Sequence, residues 1–196
     1  RKMRECGDNE IEREYWDKRQ LVKKINLNSL YGAILNPGCR FFDMRIGQSV
    51  TLTGRCITQH MASKVNEVVT GEYDHKGESI VYGDTDSVYF SAFKTLQKEI
   101  KEGIIPWTKD SVVALYDKIA DEVNSSFKSF MTKAFHTPST RGEVIAAGRE
   151  LVASKGLFIT KKRYAVLYYD KEGKRADVEG KDGKMKAMGL DLKRSD

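Results

Sequence analysis

The sequence predicts an α+β fold, with long helices packed on an antiparallel sheet. Three observations carry this expectation. Apolar residues recur at helical spacing over three long stretches, residues 9–31, about 48–69 and 107–135. After His136-Thr137-Pro138 the texture changes to β-branched and aromatic runs. Two hairpin-type turn signals, Asp170-Lys-Glu-Gly173 and Lys181-Asp-Gly183, punctuate those runs.

Taken in order, NEIEREYWDKRQLVKKINLNSLY (9–31) reads as a long first helix, with Asn9 or Asp8 as its cap and Gly32 and Pro37 as its end. A short aromatic link, CRFFDMRIG, leads to a second helix from about Gln48 to Val69. Leu52, Cys56, Met61, Val65 and Val68 form its apolar side. Ser79 to Phe90 is β-rich on both sides of GDTD, which predicts a hairpin turning on the acidic residues. Trp107 to about Phe135 is a third helix, with Thr108 or Asp110 to cap it. The remainder reads as a meander: GEVIAAGRELVAS, LFITKKRYAVLYYD, KRADVEG and a last short run, KMKAMGL.

The 196 residues, 40% hydrophobic and 32% charged, suit a soluble globular chain with ample core material. No apolar run approaches membrane-span length and no signal peptide leads the chain, so the expectation is a cytoplasmic protein with no membrane partner. The abrupt ends suggest a piece of something longer. Cys6, Cys39 and Cys56 are odd in number and far apart, which reads as reduced thiols with neither a disulfide framework nor a zinc site. The charge is more telling. Residues 155–194 hold twelve Lys or Arg against six Asp or Glu, a local excess equal to the +6 of the whole chain. Phe158, Tyr164, Tyr168 and Tyr169 interleave it. Such a surface suits either lysine-rich solvated hairpins or a polyanion.

Three constellations carry chemistry. In IVYGDTDSVYF, Asp84 and Asp86 stand inside an apolar run. On an extended strand, residues i and i+2 face the same way, roughly 7 Å apart, so both carboxylates would meet at one spot with Thr85 turned away. Two carboxylates there repel unless a cation sits between them. Mg²⁺ takes oxygen ligands, and paired ions roughly 4 Å apart clamp the attacking and leaving oxygens of phosphoryl transfer. Gly, Asp and Thr are also plain turn formers, and a pair of carboxylates needs at least one further acidic ligand. In the first helix, Lys24, Asn28 and Tyr31 recur at i, i+4, i+7 on one face. An ammonium for phosphates followed by a ring for a base suits a nucleoside triphosphate, although a solvated face has the same look. No G-x-x-x-x-G-K-[ST] is present. The third constellation is Lys161-Lys162-Arg163-Tyr164 in a β-rich run. Strand alternation would put Lys161 and Arg163 on one face and Lys162 and Tyr164 on the other, a cation on each.

In that order and spacing, K-x-x-x-N-S-x-Y-G at 24–32, Y-G-D-T-D-S at 82–87 and K-K-R-Y at 161–164, the chain resembles family B DNA polymerases, most of all the T-even-type phage branch. The resemblance implies a palm with an antiparallel sheet and packing helices, preceded by one long fingers helix. It divides the chain into the end of the fingers (1–36), an incomplete palm (37–187) and the start of the thumb (188–196). It implies that Lys24, Asn28 and Tyr31 face a dNTP. Asp84 and Asp86 would hold two Mg²⁺, with Asp86 the principal ligand and Glu150 an acidic neighbour. Lys161, Lys162, Arg163 and Tyr164 would grip the minor groove of primer–template DNA, and Lys193 and Arg194 would touch primer phosphates. In the family another metal-binding aspartate lies on a first palm strand, and more triphosphate ligands lie on a first fingers helix. Together with the exonuclease domain, these are expected from an upstream segment of the same or a separate chain. The chain alone is therefore expected to be inactive. A sliding clamp is a further candidate partner, and a phage gene would place the protein in bacterial cytoplasm. Rival readings are a non-catalytic DNA-binding remnant and a different palm enzyme that uses ribonucleotides or copies RNA.

Overall fold

The computed structural model describes residues 9–178 and 180–190. Its contacts divide the chain into two compact units, one up to Gly54 and the other from Arg55 onward. The elements in order are α1 (Glu10–Leu35), α2 (Met44–Thr70), β1 (Ile80–Asp84), β2 (Ser87–Phe90), α3 (Gln97–Lys101), α4 (Lys109–Phe135), α5 (Ser139–Gly142), β3 (Leu151–Thr160), β4 (Arg163–Lys171), β5 (Lys174–Arg175) and β6 (Lys184–Met188). This is the α+β fold with a long helix first.

In the first unit, α1 starts where the sequence indicated: the Asn9 side chain accepts the Glu12 amide at 3.2 Å. Gly32 does not end it. A lone glycine costs a helix only about 1 kcal/mol, so the helix runs on to Leu35. Pro37 supplies the stop, because the residue before a proline is driven out of the helical region and Asn36 takes φ −92°, ψ 115°. The link to α2 is shorter than expected. Asp43 accepts the Arg45 amide at 2.9 Å, and helix begins at Met44, inside the aromatic stretch.

The second unit is built on α2 and α4. Val65 of α2 and Ile119, Val123 and Phe127 of α4 form a buried cluster, against which Ile80 and Phe90 of the β1–β2 hairpin pack. Leu52 and Cys56, assigned by periodicity to the apolar side of α2, are exposed, while Met61 and Val68 do pack. Thr108 caps α4 as read from sequence, its hydroxyl accepting the Ser111 amide at 3.2 Å. Residues 143–150 are not a strand. Asn124 on α4 donates to the Ala147 carbonyl at 2.9 Å and accepts its amide at 2.7 Å, so a side chain takes the place of a ladder partner.

β3 then runs unbroken through two segments that the sequence separates, pairing antiparallel with β4. On the other edge of β4 lie two strands in succession, β5 against Asp170 and Lys171 and β6 against residues 164–168. Between them Ala176 still donates its amide to the Tyr169 carbonyl at 2.8 Å, and residues 177, 178 and 180–183 are not strand. Lys181-Asp-Gly183 is therefore a return to β4, not a hairpin turn, and among the described residues of KRADVEG only Lys174–Arg175 is strand. The Glu172-Gly173 turn stands as expected, with φ positive at both positions. The short helices α3 and α5 went unforeseen. No described helix is long and apolar enough to cross a membrane.

Candidate functional site

The acidic hairpin departs from the strand geometry assumed for it. Asp84 closes β1 opposite Ser87, and Thr85 with Asp86 makes a two-residue turn. Asp84 and Asp86 therefore do not share one face of an extended strand. Thr85 has φ +45°, an unfavourable conformation for a β-branched residue that costs of order 1–3 kcal/mol. What holds it is a hydrogen bond from outside the hairpin: Thr58 Oγ1 on α2 donates to the Thr85 carbonyl at 3.0 Å.

The two carboxylates are treated differently. Asp84 is half-buried and held at both oxygens, Oδ1 by the Thr85 hydroxyl at 3.1 Å and Oδ2 by the Tyr82 hydroxyl at 3.4 Å. Asp86 is exposed, and among the described residues no hydrogen bond or ion pair reaches its carboxylate. Asn66 sets the footing of the hairpin. Fully buried on α2, it donates to the Glu72 carbonyl at 2.8 Å and accepts from the Ser79 hydroxyl at 2.7 Å and amide at 3.2 Å. A side chain at Gly77 would strike the Asn66 amide.

The K-K-R-Y residues are a turn and a strand start. Lys161 and Lys162 form the β3–β4 turn, with Lys162 at φ +61°, and Arg163 and Tyr164 open β4. Alternation across the four does not apply, because the chain reverses within them. Lys161, Lys162 and Arg163 are exposed and their side chains form no ion pair among the described residues, whereas Tyr164 is buried. Gly189, just past β6, packs on the Lys162 carbonyl at φ +62°, where any side chain would collide.

The structure brings these two turns together. Tyr82 and Tyr89 of the acidic hairpin meet Phe158 and Tyr164 of the β3–β4 hairpin in a four-ring cluster, with Tyr82 stacked on Phe158 at 5.4 Å and Phe158 on Tyr164 at 5.6 Å. The Tyr89 hydroxyl donates to that of Tyr164 at 3.2 Å. Burial, and then that hydrogen bond, push the Tyr89 phenol well above its usual range, so it stays a neutral donor. The Lys162 amide donates to the Tyr82 hydroxyl at 2.8 Å. Neither Tyr82, Tyr89 nor Phe158 was singled out from sequence as a site residue. One signal was present, since strand alternation puts Tyr82 on the face of Asp84.

The remaining candidates fall elsewhere. Lys24, Asn28 and Tyr31 lie on α1, in the first unit; Lys24 and Asn28 are exposed and Tyr31 is half-buried. The unbroken helix keeps them on one face. Glu150 precedes β3 and is ion-paired with Lys186 of β6 at 2.7 Å. Lys193 and Arg194 lie outside the described residues. Among the described residues, no group of three or more His, Cys, Asp or Glu is placed to hold a metal. The oxygen donors of Asp84 and Asp86 suit a hard divalent ion in kind but amount to part of a ligand set.

Comparison with known proteins matches all of residues 1–196 to the model of DNA polymerase family B. A DNA-directed DNA polymerase of Escherichia phage RB69 is 35% identical over 188 residues, and that of Enterobacteria phage T4 is 31% identical over the same length. Each alignment covers 90% of this chain and 20% of the relative. The DNA polymerase delta catalytic subunit of Oryza sativa subsp. japonica is 30% identical over 174 residues, covering 87% of this chain and 13% of the relative. The chain thus spans about a fifth of the length of the phage relatives. With its acidic turn, its basic turn and a family match along its whole length, the chain belongs to DNA polymerase family B.

Proposed function

We propose that this chain is part of a template-directed DNA polymerase that transfers a nucleotide from dNTP to a primer 3′-hydroxyl. One observation carries the reading. A turn that offers one exposed carboxylate, unpaired among the described residues, beside another held at both oxygens is fixed, through four aromatic rings, to a turn whose three exposed cations form no ion pair among the described residues. Carboxylates for metal and cations for a nucleic-acid backbone are the two things this reaction needs side by side. In this reading residues 1–36 end the fingers, 37–187 form most of the palm and 188–196 begin the thumb.

Asp84 and Asp86 would hold Mg²⁺. Bound there, the ions would acidify the attacking hydroxyl and neutralise the departing pyrophosphate. Glu150 is a less direct candidate ligand, since Lys186 already occupies it. Lys24 would offset triphosphate charge, Asn28 would hydrogen-bond the nucleotide and Tyr31 would pack beside the new base pair. Lys161, Lys162 and Arg163 would hold primer–template DNA through phosphates and minor-groove acceptors, which vary little with sequence. Lys193 and Arg194 would add primer phosphate contacts. As the primer oxygen attacks the α-phosphorus, the bond to the pyrophosphate oxygen breaks, and the protein's part is positioning. The ligand set is completed by a further polymerase segment carrying another palm strand, a fingers helix and an exonuclease domain, with the reaction in bacterial cytoplasm and a sliding clamp as an added partner.

The test is Mg²⁺-dependent primer extension by this chain alone and mixed with such a segment. Extension only in the mixture is the expected outcome. Binding of duplex DNA with no metal-dependent dNTP binding in the mixture would instead identify a non-catalytic remnant. Incorporation of rNTP in preference to dNTP would point to a different palm enzyme.

A further inference from the structure

We propose that Tyr82 is a positioning residue that couples the basic turn to the Asp84 carboxylate; this rests on the polymerase reading above. The observation is a short chain of two hydrogen bonds with no freedom in its direction. The Lys162 amide can only donate, and it donates to the Tyr82 oxygen at 2.8 Å. An ionised carboxylate can only accept, so the single hydroxyl proton of Tyr82 goes to Asp84 Oδ2, at 3.4 Å. One phenol therefore receives from the basic turn and gives to the acidic one.

The rest of the cluster keeps this phenol where it is. Its ring touches Tyr89 at 6.0 Å, Phe158 at 5.4 Å and Tyr164 at 5.5 Å, so it cannot swing without moving the core of both hairpins. The donor end is equally constrained, because Gly189 packs against the carbonyl of the same Lys162 whose amide makes the bond. A duplex that engages Lys161, Lys162 and Arg163 acts on a turn whose backbone is one hydroxyl away from a metal-binding oxygen. The consequence is that correct seating of the duplex and correct aim of Asp84 reinforce each other.

The test is Tyr82→Phe, which keeps the ring and removes only the hydroxyl. In this chain, amide hydrogen exchange at Lys162 should speed up by about tenfold, the size of one lost hydrogen bond. The Mg²⁺ concentration that half-shifts the Thr85 and Asp86 amide resonances should rise about three- to tenfold. In an assembled polymerase, the Mg²⁺ midpoint of primer extension should rise similarly, while kcat at saturating metal stays near wild type; a merely structural defect would lower kcat throughout. Unchanged exchange at Lys162, or faster exchange with an unmoved Mg²⁺ midpoint, overturns the coupling. The wild type gives an independent check should Tyr82→Phe not fold: duplex DNA should both slow Lys162 exchange and lower the Mg²⁺ midpoint, and a change in only one overturns the proposal. Failure of the polymerase reading shows separately, as full extension by Asp86→Asn.

Discussion

The acidic and basic turns make an instructive pair. Each is a two-residue hairpin turn, each has a non-glycine residue in the left-handed region, Thr85 at φ +45° and Lys162 at φ +61°, and each is tied by a hydroxyl from another element. They differ in what is fixed. At the acidic turn the side chain itself is held, Asp84 through both oxygens. At the basic turn the backbone is held, and the three exposed cations form no ion pair among the described residues. A metal ligand must be aimed to a fraction of an ångström, whereas a lysine following a polyanion works through charge and tolerates motion. In the acidic turn that rigidity belongs to Asp84 alone, since Asp86 is exposed and no partner among the described residues holds its carboxylate.

The largest expected effect is on the footing of the acidic turn. Asn66→Ala strands the buried Ser79 amide and hydroxyl, and should cost about 2–3 kcal/mol of stability in urea unfolding. A cost within error would mean that the hairpin does not depend on this buried amide. Next comes the basic turn, where Gly189→Ala places a Cβ against the Lys162 carbonyl at a positive φ. About 1–3 kcal/mol should be lost, with duplex binding weakened and the Asn66 region unaffected, as read by amide exchange.

Lys161→Ala with Arg163→Ala sharpens the contrast in the other direction. Because these exposed side chains form no ion pair among the described residues, the melting temperature should be unmoved. Duplex affinity should fall, with the salt slope of binding reduced by about 1–2. A drop in melting temperature would show that the cations are structural. The smallest effect belongs to His60, away from both turns. It is buried between Tyr73 and Ser126 hydroxyls and stacked on Phe130 at 3.9 Å. Burial, then the charge of Lys64, hold its imidazole below the usual value, against a smaller opposing pull from Glu67. The unfolded chain thus takes up a proton first, so stability is intact above about pH 6.5 and declines as pH falls below it. Wild type should lose more stability between pH 6.5 and 5 than His60→Gln, and equal losses would contradict the burial argument.

Local chemistry was legible in the sequence and long-range chemistry was not. Asn9 and Thr108 cap their helices as expected because a cap depends on residues three positions away. The Glu172-Gly173 turn was readable for the same reason. By contrast, nothing within 143–150 announces that Asn124 will take the backbone of Ala147 and prevent a strand. Nor does K-K-R-Y look like a turn, since it has no Gly, Asn or Asp; the conformation of Lys162 is stabilised by Tyr82, eighty residues earlier, and by contact with Gly189. In the candidate site the charged residues stood out by type. Tyr82, Tyr89 and Phe158, which join the two turns, did not, because an aromatic in a strand is ordinary until its partners are known.

The most direct measurement is primer extension and duplex binding by Asp86→Asn in an enzyme assembled from this chain and the other polymerase segments. Asp86 is the exposed carboxylate with no partner among the described residues, so its loss should leave the fold and duplex affinity as they are while extension disappears. Turnover near the wild-type rate would contradict the account, because the acidic turn would then not be where metal is held.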